Sequence, residues 1–151
     1  MREKIGEIYF KNMTPFEYLN TSIKSYQRPS TVHGIGLFAL IDIKKGETLF
    51  SKWNGETGNY KIKFGEAKLL PKEVLEYVLR SYGSKIENDD SYINFKLVKD
   101  TNFLFTEPLS LLNTKGENGN VDSWSGTSLV DIKKDEELYG NYEHRPRKIL
   151  I

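Results

Sequence analysis

A chain of 151 residues, 28% charged and 38% hydrophobic, is sized for one soluble domain with a buried core. Its 22 Lys and Arg against 21 Asp and Glu leave a net charge of +1, no electrostatic footprint for nucleic acid or an anionic membrane. With no cysteine, only two histidines and no apolar run of membrane-spanning length, disulfide and thiolate-zinc chemistry are excluded, a histidine metal site is disfavoured, and an intracellular soluble protein is expected.

In chain order, residues 5–10 form a short amphipathic stretch. Thr14-Pro15-Phe16-Glu17 reads as a helix start, with Thr as N-cap, Pro at the first helical position and Glu three residues on; that helix is expected to end near Asn20. Residues 21–26 read as a strand with Ile23 inward. Gly34-Ile35-Gly36 then opens an apolar run, Leu37-Phe38-Ala39-Leu40-Ile41, followed by Asp42-Ile43-Lys44-Lys45-Gly46-Glu47-Thr48-Leu49-Phe50. Residues 49–53 extend a strand that stops at the turn pair Asn54-Gly55. Residues 71–82 are the clearest helix, with Val74, Leu75, Val78, Leu79 and Tyr82 on one stripe and Gly83 as the stop. Glu87-Asn88-Asp89-Asp90 is an acidic loop, read more simply as solvated than as a groove for a basic peptide. Residues 91–98 alternate as a strand, and 103–105 make a further short one. Residues 109–113 are apolar and lead into a polar loop. Then Ser128-Leu129-Val130 precedes Asp131-Ile132-Lys133-Lys134-Asp135-Glu136-Glu137-Leu138-Tyr139, a second copy of the phrase at 42–50. Each copy reads as strand, charged turn, strand. Two copies are too few for a solenoid, so the pattern implies a compact, mainly β domain of two related halves with one or two short helices.

Single residues are ambiguous. The Gly34-Ile35-Gly36 pair lacks the third glycine and following helix of a dinucleotide site; it fits a bulge or tight turn, or a backbone approached closely by a ligand. Asn113 fits a strand-ending turn residue, or an amide reading an adenine edge or a carboxylate. A lone Tyr142 is more often core than catalytic, and His33 is most simply a surface or turn residue.

Together these segments resemble the SET domains, the protein-lysine methyltransferases. Gly34-Ile35-Gly36-Leu37-Phe38-Ala39 with Asp42-Ile43-Lys44-Lys45-Gly46-Glu47 resembles the family's opening motif, and Trp53-Asn54-Gly55-Glu56 its next element. Leu111-Leu112-Asn113 with Asn120-Val121 resembles its Asn-His-Ser…Pro-Asn segment. Asp131 to Tyr142 is similar to the closing Glu-Glu-Leu-x-x-x-Tyr motif. Four elements in order across residues 30–143 are far more specific than any one.

The resemblance implies a SET β-clip with pseudoknot-like C-terminal threading, an N-terminal extension at 1–29, the SET segment at 30–143 and a tail at 144–151. It implies methyl transfer from S-adenosylmethionine to a lysine of a protein or peptide, with no metal, membrane or direct nucleic-acid partner. By position, the backbone at His33, Gly34, Ile35 and Gly36 would hold the methionine part. Asn113 and Thr114 would hold the polar end and adenine, Tyr142 would be the catalytic tyrosine that also borders the cofactor, and Tyr92 a wall of the lysine channel. Thr114 stands where the family usually has His, Lys115-Gly116 replaces Ser-Cys, and neither flanking zinc modules nor a cysteine-rich segment is present, as in minimal viral and bacterial SET domains. Those departures leave open a SET-like protein that binds S-adenosylmethionine or a partner without transferring methyl. A β-clip binding module of the kind in sugar-acid synthases and antifreeze proteins is the third reading.

Overall fold

Two units, each drawn from two separate stretches of sequence, make up the computed structural model: residues 1–23 with 51–105, and residues 24–50 with 106–151. The structure describes residues 2–5, 8–11, 13–32, 34–104, 108–114 and 118–141, with backbone alone at 2–5, 8–11 and 110. The chain is mainly β, as expected, and the described residues hold three short α-helices where one or two were expected.

The first unit holds an antiparallel pair, β1 (Arg2–Ile5) and β2 (Ile8–Lys11), then helix α1 (Pro15–Ser22). The Thr14 hydroxyl accepts from the Glu17 amide at 3.1 Å, the expected cap. The helix runs through Thr21 and Ser22, where sequence reading expects a strand. Tyr18, Leu19 and Ser22 are buried, and the Thr21 hydroxyl donates back to the Glu17 carbonyl at 2.7 Å. Burial of Tyr18, Leu19 and Ser22 holds the helix against the β preference of Thr21, which is itself exposed. Tyr18 donates its phenol to the Ser51 carbonyl at 2.8 Å, and burial pushes its pKa up to about 12.

The mixed stretch after Gly55 resolves into β5 (Gly58–Lys63) and the short helix α2 (Phe64–Ala67). Strand β5 pairs antiparallel with β6 (Tyr92–Leu97), whose Ile93, Phe95 and Leu97 are buried while Tyr92, Asn94 and Lys96 face out, the alternation expected of a half-buried strand. Helix α3 (Lys72–Tyr82) ends at Gly83 in the left-handed conformation and buries Val74 and Val78. The acids of the loop at 87–90 are partly neutralised: Asp89 pairs with Lys68 at 2.9 Å and Asp90 with Lys63 at 3.6 Å. Residues 103–104 form a turn rather than a strand, with Phe103 packed edge-on to Tyr77 and Tyr82; Phe105 lies outside the described residues.

In the second unit β3 (Ser25–Pro29) pairs antiparallel with β4 (Ile35–Ala39), and β4 with β9 (Glu137–Asn141). A single 3-10 turn (Pro108–Leu111) precedes β7 (Asn113–Thr114); β7 and β8 (Val121–Asp122) both run parallel to β9. Because Gly140 pairs with both Thr114 and Val121, β7 and β8 must take opposite edges of β9. The chain between them therefore crosses β9, the threading implied by the family resemblance. A side chain at Gly119 would sit 2.4 Å from the Asn141 nitrogen and 2.5 Å from the Gly140 carbonyl carbon, so only glycine fits this crossing. The side chain of Asn120 completes it: its Nδ2 donates to the Glu137 carbonyl at 2.9 Å and its Oδ1 accepts from the Tyr139 amide at 2.7 Å.

The two copies of the doubled phrase meet in this unit as reciprocal partners. Ile43 and Ile132 exchange backbone hydrogen bonds at 2.7 and 2.8 Å. The Asp131 carboxylate accepts from the Lys45 amide, and the Asp42 carboxylate from the Lys134 amide, each at 2.9 Å. Gly46 donates to the Ser128 carbonyl and Asp135 to the Ala39 carbonyl; Ser128 donates to Glu47 and Ala39 to Glu136. Every bond has its counterpart at the equivalent position, which is the signature of a local two-fold axis. Ile43, Leu49, Ile132 and Leu138 are buried and the four turn lysines are exposed. No strand forms over 49–53. The Leu49 amide bonds Gly126 in this unit, whereas the Trp53 amide bonds Thr101 in the other, so the backbone changes partners between them.

Candidate functional site

The opening and closing motifs converge on one buried carboxylate. Glu137, the first residue of β9, lies opposite Phe38 of β4 and is 7% exposed. Ser30, at the end of β3, donates its hydroxyl to both carboxylate oxygens at 2.8 Å and accepts from the Val32 amide at 3.0 Å. From β7, Asn113 donates Nδ2 to Glu137 Oε2 at 3.0 Å. Gly36 lies against the same group: a Cβ there would be 2.6 Å from Glu137 Oε2, 3.1 Å from Ser30 Cβ and 3.2 Å from Asn113 Nδ2. That glycine is required because the carboxylate and amide approach its main chain closely.

Ion pairs found among the described residues leave Glu137 without a lysine or arginine. Burying an ionised carboxylate costs several kcal/mol. Charge-assisted hydrogen bonds from Ser30 and Asn113 offset part of that cost, and among the described residues no lysine or arginine is paired with the charge itself. A site of this character suits a ligand carrying positive charge beside hydrogen-bond donors. Close to the end of β9, Ser123 is fully buried and its hydroxyl has no hydrogen-bond partner among the described residues; its amide donates to the Asn141 carbonyl at 3.3 Å.

Of the residues singled out in the sequence, Gly36 and Asn113 are brought together around Glu137. Gly34 occupies the β3–β4 connection with φ 49°, its carbonyl accepting from the Ser30 amide, so the turn reading accounts for it. Ile35 is 55% exposed at the start of β4, and Thr114 is exposed on β7, paired with Gly140. Tyr92 belongs to the other unit; it is 42% exposed at the head of β6, with Lys61 Nζ 4.4 Å from its ring centroid. His33 and Tyr142 lie outside the described residues, although Asn141, immediately before Tyr142, is buried in β9.

Sequence reading assigned no role to Ser30, Glu137 or Gly119. Glu137 did carry a signal: it is a point at which the two copies of the phrase differ in kind, with Thr48 at the equivalent place in the first copy. Ser30 carried none, because only the β3–β4 hairpin places it beside β9. Among the described residues no group of three or more His, Cys, Asp or Glu is arranged to hold a metal ion, and no helix is long and apolar enough to cross a membrane.

No protein-family model and no curated protein matches this chain. Among solved structures, a Plasmodium falciparum protein described as a histone methyltransferase is 19% identical with a TM-score of 0.33, covering 82% of this chain and 96% of that one. A Chaetomium thermophilum Polycomb Repressive Complex 2 chain, bound to S-adenosylmethionine in an autoinhibited conformation, is 21% identical with a TM-score of 0.35 over 81% of this chain. A humanized mutant of the same complex, bound to an inhibitor, is 20% identical with a TM-score of 0.38 over 84%. This chain spans only 15% and 16% of those two Polycomb chains. Likenesses of this size leave function to be argued from the residues themselves.

Proposed function

We propose that the chain transfers a methyl group from S-adenosylmethionine to a lysine side chain of a protein, with residues 30–143 acting as a minimal SET domain. The observation that carries the reading is the convergence of Gly36, Asn113 and Glu137, from three motifs that resemble that family in the same order, on one negatively charged site. A buried carboxylate with no lysine or arginine paired to it among the described residues fits a cationic ligand, and S-adenosylmethionine bears both a sulfonium and an ammonium.

When bound, S-adenosylmethionine supplies a methyl group already activated by its sulfonium charge. Residues 33–36 and Asn113 would hold its methionine part, and the backbone at Thr114 its adenine. The chain's remaining task is alignment of the lysine amine with that methyl, which alone removes much of the barrier. An attacking lysine must be neutral, although its unperturbed pKa is ~10.4; apolar and aromatic surroundings disfavour the ammonium. Tyr142, three residues beyond Tyr139 on β9, is proposed to border the reacting centre and orient the methyl through its phenol oxygen. Tyr92 would, by the family resemblance, be a wall of the lysine channel.

Titration calorimetry with S-adenosylmethionine tests the cofactor. Heat of binding is expected, and none at millimolar ligand would leave the β-clip binding module as the better reading. Incubation with labelled cofactor and host lysate tests transfer. Labelling is expected to fall at least tenfold in Tyr142→Phe. Equal labelling would remove Tyr142 from the mechanism, and binding without any labelling would favour the non-transferring protein that Thr114 leaves open.

A further inference from the structure

We infer that the outer face of the β5–β6 ladder is a docking surface for single-stranded nucleic acid. Alternation along the two strands decides what this face carries. Ile62, Ile93, Phe95 and Leu97 turn inward and are buried, so Asn59, Lys61, Lys63, Tyr92, Asn94 and Lys96 share the opposite side and are all exposed. The register pairs Asn59 with Lys96, Lys61 with Asn94 and Lys63 with Tyr92. Each cross-strand pair thus sets a lysine beside an amide or a phenol ring. No acid stands among the six, although the chain holds 21. The net charge of +1, which gives no footprint for nucleic acid by itself, is an average over the chain; the ladder sorts three lysines onto one side.

These three side-chain types match the three parts of an unpaired strand. Lysines meet phosphates, amides meet base edges, and an exposed ring stacks on a base face. Lys61 Nζ already lies 4.4 Å from the Tyr92 ring centroid, so cation and stacking platform are adjacent. Among the described residues Lys61 and Lys96 pair with no carboxylate. Lys63 meets Asp90 at 3.6 Å, with the two side chains 55% and 87% exposed, a pair weak enough to yield to a phosphate. Guarding a bare strand edge is another use of lysine. It does not account for this face, because β6 is not a bare edge: the Asn94 amide donates to Ser84 Oγ at 3.1 Å and the Lys96 carbonyl accepts from the Tyr82 phenol at 3.2 Å. A duplex keeps its bases stacked inside and offers Tyr92 nothing to stack on. An acidic peptide would use the lysines alone.

Such binding is independent of methyl transfer, and it gives Tyr92 a use other than the channel wall that the family resemblance implies. Failure of either reading leaves the other standing. Fluorescence anisotropy on the full chain, with a labelled oligothymidylate of about twelve residues, tests the surface. Binding at about 1–100 μM is expected near 0.1 M salt, with log K falling against log salt at a slope of about −2, as three lysine–phosphate contacts require. No binding, or binding without salt dependence, would overturn the inference, and neither readout depends on a variant folding. The triple variant Lys61→Gln, Lys63→Gln, Lys96→Gln is expected to bind at least tenfold more weakly and with a flatter slope. Lys44→Gln, Lys45→Gln, Lys133→Gln removes the same charge from exposed positions elsewhere and should change affinity less than about twofold. Equal losses in the two triple variants would mean a general charge effect and defeat the assignment. Tyr92→Ala should lose about tenfold and Tyr92→Phe less than about twofold, since stacking needs the ring and not the hydroxyl. A harmless Tyr92→Ala, tighter binding of a duplex, or equal competition by polyglutamate at matched charge would each rule out a single strand as the occupant.

Discussion

The two copies of the doubled phrase build the same backbone and put it to different use. Both bend at a lysine pair, both bury an isoleucine before the bend and a leucine after it, and each lends an aspartate to the other's turn. In the first copy the strand residue after the bend is Thr48, exposed, and its neighbour Glu47 pairs with Lys24 at 2.9 Å. In the second that residue is Glu137, buried and bonded to Ser30 and Asn113. One difference within the repeat thus separates a frame element from an element of the candidate site. The frame comes from reciprocity, which any two like sequences can supply; the site comes from the break in that symmetry.

Two changes probe how equal the halves are. Ile43→Ala and Ile132→Ala remove buried side chains at equivalent places, and each should cost about 2–5 kcal/mol in urea denaturation. The two losses should agree within about 1 kcal/mol. A difference much above that would show that one copy carries the frame alone.

A smaller effect separates the turns. Gly46 has φ 90° and its counterpart Asp135 has φ 69°. Gly46→Ala should cost about 1–2 kcal/mol, because a Cβ in the left-handed region is strained. Asp135→Gly relieves that strain but loses the bond from the Tyr26 phenol, so its net effect should lie within about 0.5 kcal/mol of zero. Equal losses at both positions would show that the turns tolerate side chains alike.

The smallest effect follows pH. The hydrogen bond from Lys24 holds Glu47 below its ordinary carboxylate pKa, with further help from the Lys44 amide. A lowered folded pKa contributes stability present above the unfolded value of 4.5 and lost as pH falls through the folded one. Glu47→Gln should therefore be less stable than the parent by up to ~1 kcal/mol near pH 7, the difference closing below pH 4.5. A gap that persists at lower pH would assign the role of Glu47 to packing.

What could be read from the residues alone was periodic or repeated. Residues 92–97 alternate and form β6, residues 72–82 keep one apolar face and form α3, and the doubled phrase announced two like halves. Gly36 and Asn113 were ambiguous one at a time, and only the order of the motifs, through the family resemblance, suggested that they share a site. The helical state of Thr21 and Ser22 was not legible, since burial of Tyr18, Leu19 and Ser22 decided it against local propensity. Nor was the break at 49–53, where the backbone changes hydrogen-bonding partners. Sequence by itself determined the mainly β character, the pairing of halves and the candidate motifs, because periodicity and repetition are local properties. Only the tertiary structure decided that Ser30, Asn113 and Glu137 form one network and that Gly119 must be bare. Those facts depend on segments distant in sequence meeting within hydrogen-bonding distance, and nothing local encodes which donor will face which acceptor.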